Sequence, residues 1–421
     1  MKELADNLIG RFEVFQTIPV ELVYIALMLI FGLILLFGFV ALSSGFNTYL
    51  ERRISARMQS RVGCNRVGPE GLLQFALDGL KLIMKEDIIP TSSDKILFRL
   101  APYLVFMGSF MSFAVIPFTT NFTLANLNIG IFYLLSIASV AVVGILMSGW
   151  SSNNKWALLG AVRSTAQIIS YEIPVALCLL IPVLLSSTLN MTNIAEAQKG
   201  GMYHWFINPI LYPFGFIGAI VFFIASLSEI NRTPFDLPEA ESELVSGFNT
   251  EYSGIRFGIF FVAEFANITL AALLFSIAFL GGYTKSLLDI PFGTVVGFFA
   301  ISIALKTCSY GWNFINNLIK NPKNLFLIID NSMPVQFPNW LKYSTWVVSF
   351  LITVILYKLS DFFVLRILFF IAKAYMIVFI IMWIRWTLPR YRIDQLMALC
   401  WKKLVPIAFI SAVGTAFLMV I

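Results

Sequence analysis

The chain concentrates its carboxylates in one place. Ser228 to Gly254 reads SEINRTPFDLPEAESELVSGFNTEYSG, with Glu229, Asp236, Glu239, Glu241, Glu243 and Glu251 against the single Arg232. Only 12% of the 421 residues are charged, so this connector stands out. One reading is a solvated surface loop. The other is proton chemistry. Clustered carboxylates repel one another, so some hold protons near neutral pH, and a negative charge made or removed beside them redistributes those protons. The charge also continues into apolar sequence. Glu229 ends one apolar segment, Glu264 lies inside the next, and Glu172 lies deep in an earlier one, followed by Pro174. An ionisable residue at membrane depth is a functional candidate, with a paired structural acid as the alternative.

The basic residues form a second pattern. Arg53, Arg57 and Arg61 recur every four residues, which predicts a basic stripe on one helical face. A snorkelling interfacial helix accounts for such a stripe by itself. GCNRVGPEG (63–71) then breaks the helix. Glu70, Gln74, Asp78, Lys81 and Lys85 follow at steps of four, four, three and four, with leucines and Phe75 between them. That spacing predicts an amphipathic helix of about four turns, too short to span and suited to the interface. Asp78 and Lys81, one turn apart, could pair.

Other chemistries lack their residues. His204 is the only histidine, and Cys64, Cys178, Cys308 and Cys400 are scattered with no CxxC. A bis-histidine haem and a cysteine-ligated iron–sulfur cluster are therefore not expected, nor is a flavin or a metal site. No Gly-rich phosphate loop precedes a helix. If the chain works in redox chemistry, a partner brings the electrons.

The elements that position these residues are membrane spans. The chain is 59% hydrophobic, with a mean hydropathy of +0.84, and its apolar runs reach about 18 residues or more. This predicts an all-α polytopic integral membrane protein rather than a β-barrel. Spans are expected at 22–46, 100–118, 129–150, 157–185, 213–228, 255–280, 362–386 and 404–421. Segments 292–305 and 345–357 are expected to be embedded as well, for about ten in all. The first run is too long for the core of a cleaved signal peptide. Pro174 and Pro182 can kink the fourth span. His204 is expected on the surface of a polar connector, and 386–403 as a basic loop. Lysine and arginine fill the connectors after the first span and before the last, and the connector between spans two and three has neither. The basic connectors, and the acidic loop with them, are thus expected on the cytoplasmic or matrix side.

Four stretches resemble the quinone-site membrane subunit of proton-pumping NADH:quinone oxidoreductase (respiratory complex I; the H subunit in bacteria, subunit 1 in mitochondria). They are ERRISARMQSRVGCNRVGPEGLLQFALDGLKLIMKE (51–86), GWSSNNKWALLGAVRSTAQIISYEIP (149–174), EINRTPFDLPEAESELVSGFNTEYSGIRFGIFFVAEF (229–265) and IRWTLPRYRIDQLMALCWKKLVP (384–406). The third is the most specific. The resemblance implies one membrane domain over 1–421, with about eight family-type helices and one or two extra embedded segments. It implies interfacial helices at 51–86, an inside-facing acidic loop at 229–254 and an insertion at 283–360. Carried over by position, Glu51, Arg52, Arg61, Asp78 and Arg232 match the quinone chamber or its portal. Asp236, Glu239, Glu241, Glu243 and Glu251 match the acidic loop facing it. Arg163, Glu172, Glu229 and Glu264 match a charged path toward antiporter-like subunits, and Lys373 a lysine of the penultimate span. Cys64 stands where the family usually has Pro, and Glu70 where it usually has a large apolar residue.

The implied substrate is a quinone. The implied partners are peripheral-arm subunits carrying iron–sulfur clusters, antiporter-like membrane subunits and the lipid bilayer, with no nucleic acid. The implied location is a bacterial plasma membrane or the mitochondrial inner membrane. Two other readings stay open. One is a stand-alone ion transporter using Glu172, Glu229, Glu264 and Lys373, against which no internal inverted repeat is visible. The other is the membrane component of a related hydrogenase, which the wording of the acidic loop disfavours.

Overall fold

A computed structural model describes residues 20–120, 122–199, 202–237, 246–284 and 363–420. Among these the chain is a bundle of helices: α1 (Val20–Met58), α2 (Gln74–Met84), α3 (Lys95–Ser112), α4 (Gly130–Ser151), α5 (Lys155–Ser186), α6 (Met191–Ala197), α7 (Pro213–Glu229), α8 (Gly254–Phe279), α9 (Phe363–Thr387), α10 (Ile393–Leu399) and α11 (Val405–Val420). Seven segments of the described residues are long and apolar enough to cross a membrane, and α7 is a shorter apolar helix of 17 residues. The expected all-α polytopic architecture is what the chain adopts. The extra segments at 292–305 and 345–357, and the insertion at 283–360 beyond Thr284, lie outside the described residues.

Several boundaries differ from the sequence reading. α1 does not stop near Phe46 but runs to Met58, so Arg53 and Arg57 share a helix while Arg61 lies in the turn beyond it. α2 has 11 residues, about three turns rather than four. Glu70 falls outside it, in a 3-10 turn at φ 52. The last span begins at Ile393, because α10 and α11 are joined by a π-turn over Cys400–Leu404. A π-turn holds one extra residue per turn, so the helix continues where charge counting predicts a loop.

Two helices act as hubs. α8 packs on α1, α3 and α9, and α5 packs on α4, α7 and α11. Lipid tails are as apolar as leucine, so close backbone approach and buried polar contacts must hold the bundle together. Gly108 and Gly144 let α3 and α4 touch. A Cβ on Gly144 would sit 2.7 Å from Val105 Cγ2 and 2.9 Å from its backbone nitrogen. Asn47 of α1, fully buried, donates to Phe265 O at 3.2 Å and Thr269 Oγ1 at 2.7 Å on α8. Gln167 of α5 donates to Ser228 O at 2.8 Å and Phe235 O at 2.7 Å. Tyr171 OH donates to Leu396 O at 3.0 Å, fixing α5 to the start of the last span. Below the acidic connector a smaller core stacks Phe98 on Tyr252, ring centroids 4.0 Å apart. This core anchors the segment that returns from the connector into α8.

The α3–α4 contact is testable. Gly144→Leu should lower the thermal midpoint of the detergent-solubilised protein sharply, since overpacking costs about 1–3 kcal/mol. Gly38→Leu, with no heavy atom within 4 Å of its Cβ position, should leave the midpoint unchanged. Heating followed by size-exclusion chromatography reads both.

Candidate functional site: a buried charge cluster between two cavities

The site is built around Arg232. This residue follows α7, and its side chain is only 4% exposed. Its guanidinium reaches Glu264 on α8 at 2.8 Å and Glu51 on α1 at 3.2 Å. It also lies over the Phe265 ring, 4.5 Å from the centroid. Glu51 is shared, since Arg385 from the end of α9 pairs with it too. Two carboxylates thus meet two guanidiniums, contributed by four parts of the chain far apart in sequence. Asp236, four residues after Arg232, pairs with Arg390 at 3.1 Å. The cluster is close to neutral as a whole, the condition under which charges persist away from bulk water.

Adjacent residues of α1 face different environments. Glu51 points into the cluster, while Arg52 points to the other side and pairs with Asp78 of α2 at 2.5 Å. Asp78 also accepts from Gln74 at 3.2 Å. The structure therefore satisfies Asp78 through Arg52, not through Lys81 as the helical spacing suggested. Arg52 and Asp78 line a cavity of about 620 Å³ between α1, α2, α3 and α8, whose other walls include Phe37, Phe75, Phe106 and Phe261. α2 has no buried residue. It is held by Phe75 lying over Gly45 and Leu82 against Gly258. Arg53 pairs with Glu70 at 2.5 Å, and Tyr49 OH donates to Glu70 O at 3.3 Å. The turn after α1 is thereby tied to that helix.

Beside Glu264 lies a second cavity, of about 110 Å³. Glu264 and Glu229 both line it, with Asn231, Asn249, Asn267 and Ser226 among mostly apolar walls. Glu172 on α5 accepts from Ser139 at 3.4 Å and is an electrostatic neighbour of Glu229.

The remaining predicted residues are more scattered. Arg163 lies about two turns into α5 and is partly exposed. Glu251 accepts from Asn154 at 2.7 Å, beside Lys155 and Trp156 at the start of α5. Arg61 bonds Gln59 at 2.6 Å on the exposed turn after α1. His204 is exposed, as expected. Lys373 is buried, and its ammonium donates to Leu280 O at 3.3 Å and Gly282 O at 3.1 Å, over the Trp205 ring. It caps the C-terminal end of α8, about 24 Å along the helix from Glu264 for 16 residues. Glu239, Glu241 and Glu243 lie outside the described residues. Sequence reasoning missed Arg385 and Arg390 as members of the site, counting them only as charges of a basic connector. Their signal was available: acids at membrane depth outnumber nearby cations until these two are included.

Arg232→Met tests the cluster. Removing one partner of a buried pair costs about 3–5 kcal/mol, because a charge is left uncompensated. The variant should lose most of its folded yield. Adding Glu264→Gln should restore part of it, measured as the thermal midpoint of the double variant against the single one.

Comparison with known proteins gives the family. The sequence model of the family described as NADH dehydrogenase matches residues 31–321 and 331–416. It thus runs through much of the range read as an insertion. The NADH-quinone oxidoreductase H subunit of Anaeromyxobacter dehalogenans is 40% identical over 382 residues, covering 91% of this chain and 79% of the relative. The H subunit of Chlorobium luteolum is 43% identical over 377 residues, covering 89% and 84%. That of Rickettsia typhi is 40% identical over 367 residues, covering 87% and 86%. With a family match over most of its length and relatives this similar nearly end to end, the chain belongs to the NADH dehydrogenase family of membrane subunits, beside the H subunit of NADH-quinone oxidoreductase.

Proposed function

We propose that the chain is the membrane subunit of an NADH:quinone oxidoreductase that forms the quinone chamber and the first part of the charged path for protons. One observation carries this reading. Consecutive residues of α1 join the two halves of the site: Arg52 lines the amphipathic cavity, and Glu51 enters the buried charge cluster. A quinone with a polyprenyl tail needs a long apolar entrance near the interface and a polar end. The 620 Å³ cavity has apolar walls and the Arg52–Asp78 pair. Its volume falls in the range of small-molecule sites.

Reduction of a quinone to its quinol takes up two electrons and two protons. Among the described residues there is no group of three or more potential metal ligands, and in this reading the electrons come from peripheral-arm subunits carrying iron–sulfur clusters. The chain's own part is electrostatic. Arg52 stabilises negative charge that develops on the quinone oxygens. Glu51, Arg232 and Arg385 respond to that charge, and Glu264 carries the response to Glu229, with Glu172 and Arg163 further along toward antiporter-like membrane subunits. Asp236, Glu239, Glu241, Glu243 and Glu251 belong to the loop facing the chamber, and Arg61 to its rim. Lys373 enters as the cation that closes the C-terminal end of α8. The host membrane is a bacterial plasma membrane or a mitochondrial inner membrane, and the segment 283–360 adds embedded contacts to lipid or a partner.

The test uses the whole complex in native membranes. Glu264→Gln should slow quinone-linked NADH oxidation about tenfold or more, a barrier increase of at least about 1.4 kcal/mol. Electron transfer from NADH to a water-soluble artificial acceptor should stay intact. Arg52→Met should instead raise the KM for a short-chain quinone several-fold. Native quinone kinetics in both variants would remove these residues from the reaction. Purification of the chain alone, with no iron–sulfur or flavin absorption, would favour the transporter reading.

A further inference from the structure

The smaller cavity contains groups that the proposed path does not use. Glu229 and Glu264 line it from different helices. It also receives Asn249, 93% buried by its 7% exposure, whose Oδ1 has no hydrogen-bond partner. Asn231 lines the same space. Its Nδ2 donates to Ser164 Oγ at 3.2 Å, and its Oδ1 is likewise buried without a partner. Buried amide oxygens are nearly always satisfied, by protein or by ordered water. The serines point the same way. Ser109, Ser112 and Ser226 donate their hydroxyl protons to backbone carbonyls of their own helices at 3.2, 2.8 and 3.0 Å. Their lone pairs are left for the cavity. At about 110 Å³ the space has room for at least about three waters at ~30 Å³ each.

We propose that Asn249 is a positioning residue of the proton path: its amide oxygen, with that of Asn231, holds water between Glu264 and Glu229, so that protons pass between the two carboxyls through an ordered file. This rests on the charged path proposed above. An amide suits the role because it accepts a hydrogen bond from water but neither gains nor loses a proton near neutral pH. Water anchored on the amide keeps its oxygen free to take a proton from one carboxyl while passing another on. The step balances: once Glu264 has taken up a proton from the chamber side, Glu264 loses that proton, Glu229 gains it, the waters are restored, and no electrons move.

The geometry adds a mechanical link. Asn249 ends a short turn, Gly247–Asn249, in which Gly247 has φ +63. That turn lies on α5 at Gly160, where a Cβ would come within 2.7 Å of Gly247 Cα. The turn leads directly from the acidic loop into the cavity wall. Asn249 is thus fixed to the segment that follows the acidic loop in sequence.

The experiment uses the whole complex in proteoliposomes. Asn249→Val removes the acceptor at similar width, and Asn249→Ser keeps one. We expect Asn249→Val to slow quinone-linked turnover and proton uptake at least about fivefold, with a changed solvent isotope effect in D2O. The rate with a water-soluble artificial acceptor should be unchanged, and Asn249→Ser should recover at least half of the loss. Native rates and a native isotope effect in Asn249→Val would overturn the proposal. So would equal losses in the Val and Ser variants with the artificial-acceptor rate intact, since the acceptor atom would then not matter. If Asn249→Val does not assemble, Asn231→Val carries the same expectations and the same overturning result. Glu264→Gln run in parallel separates the two levels. If it moves protons at the native rate, the path itself is wrong. If it stops them while Asn249→Val does not, only the role of Asn249 falls.

Discussion

A guanidinium almost without solvent contact must be surrounded by charge of the opposite sign, and Arg232 organises the protein through that requirement. Removing such a group from water costs several kcal/mol, recovered only through close carboxylates and further hydrogen bonds. Glu51 and Glu264 supply the carboxylates, and Arg385 balances the second negative charge. These residues come from α1, α8 and α9, so satisfying one side chain fixes three helices at one depth. The contacts that hold those helices together are polar as well. Asn47 bonds α8 from α1, and Lys373 bonds the carbonyls at the end of α8 from α9. In a bundle bathed in lipid, apolar contact does not favour helix over tail, so such contacts and glycine-mediated approach carry the specificity.

Two cavities of different character adjoin residues of this cluster or their chain neighbours. One is a wide, largely apolar cavity at the amphipathic helix α2. The other is a narrow cavity with two glutamates and three asparagines. Because Glu51 and Arg52 are neighbours on α1, about 100° apart around the helix, charge appearing in the wide cavity is felt by the cluster directly. A field change there shifts the proton affinities of nearby carboxylates. In the proposed function this link is electrostatic. The acidic connector adds a second link, since its return segment is stacked on α3 through Phe98 and Tyr252.

Two positions along α8 show how place decides the role of a charge. Near the middle of the helix Glu264 pairs with Arg232 and lines the smaller cavity. At the C-terminal end, the positive charge of Lys373 lies among backbone carbonyls, where the helix dipole favours a cation. Both residues sit in apolar sequence and look alike as candidates there. Only one of them lines a cavity shared with another carboxylate among the described residues.

The sequence by itself determined the class of the protein and the inventory of its chemistry. Long apolar runs dictate spans because a backbone in lipid must satisfy its own hydrogen bonds. Six of the helices lie where those runs predict, from α3 to α9 apart from the short α6. The acids at membrane depth, and the amphipathic segment before Lys85, were equally legible, because composition and period are local properties. Tertiary structure alone decided the partners. Asp78 takes Arg52 rather than Lys81, and Glu51 takes Arg232 and Arg385, residues 181 and 334 positions away. It also decided that Asn249 faces a cavity and that the last helix continues through a π-turn from Ile393. A periodic pattern fixes which face of a helix a residue occupies. What that face meets depends on how distant helices cross, and no local spacing encodes it.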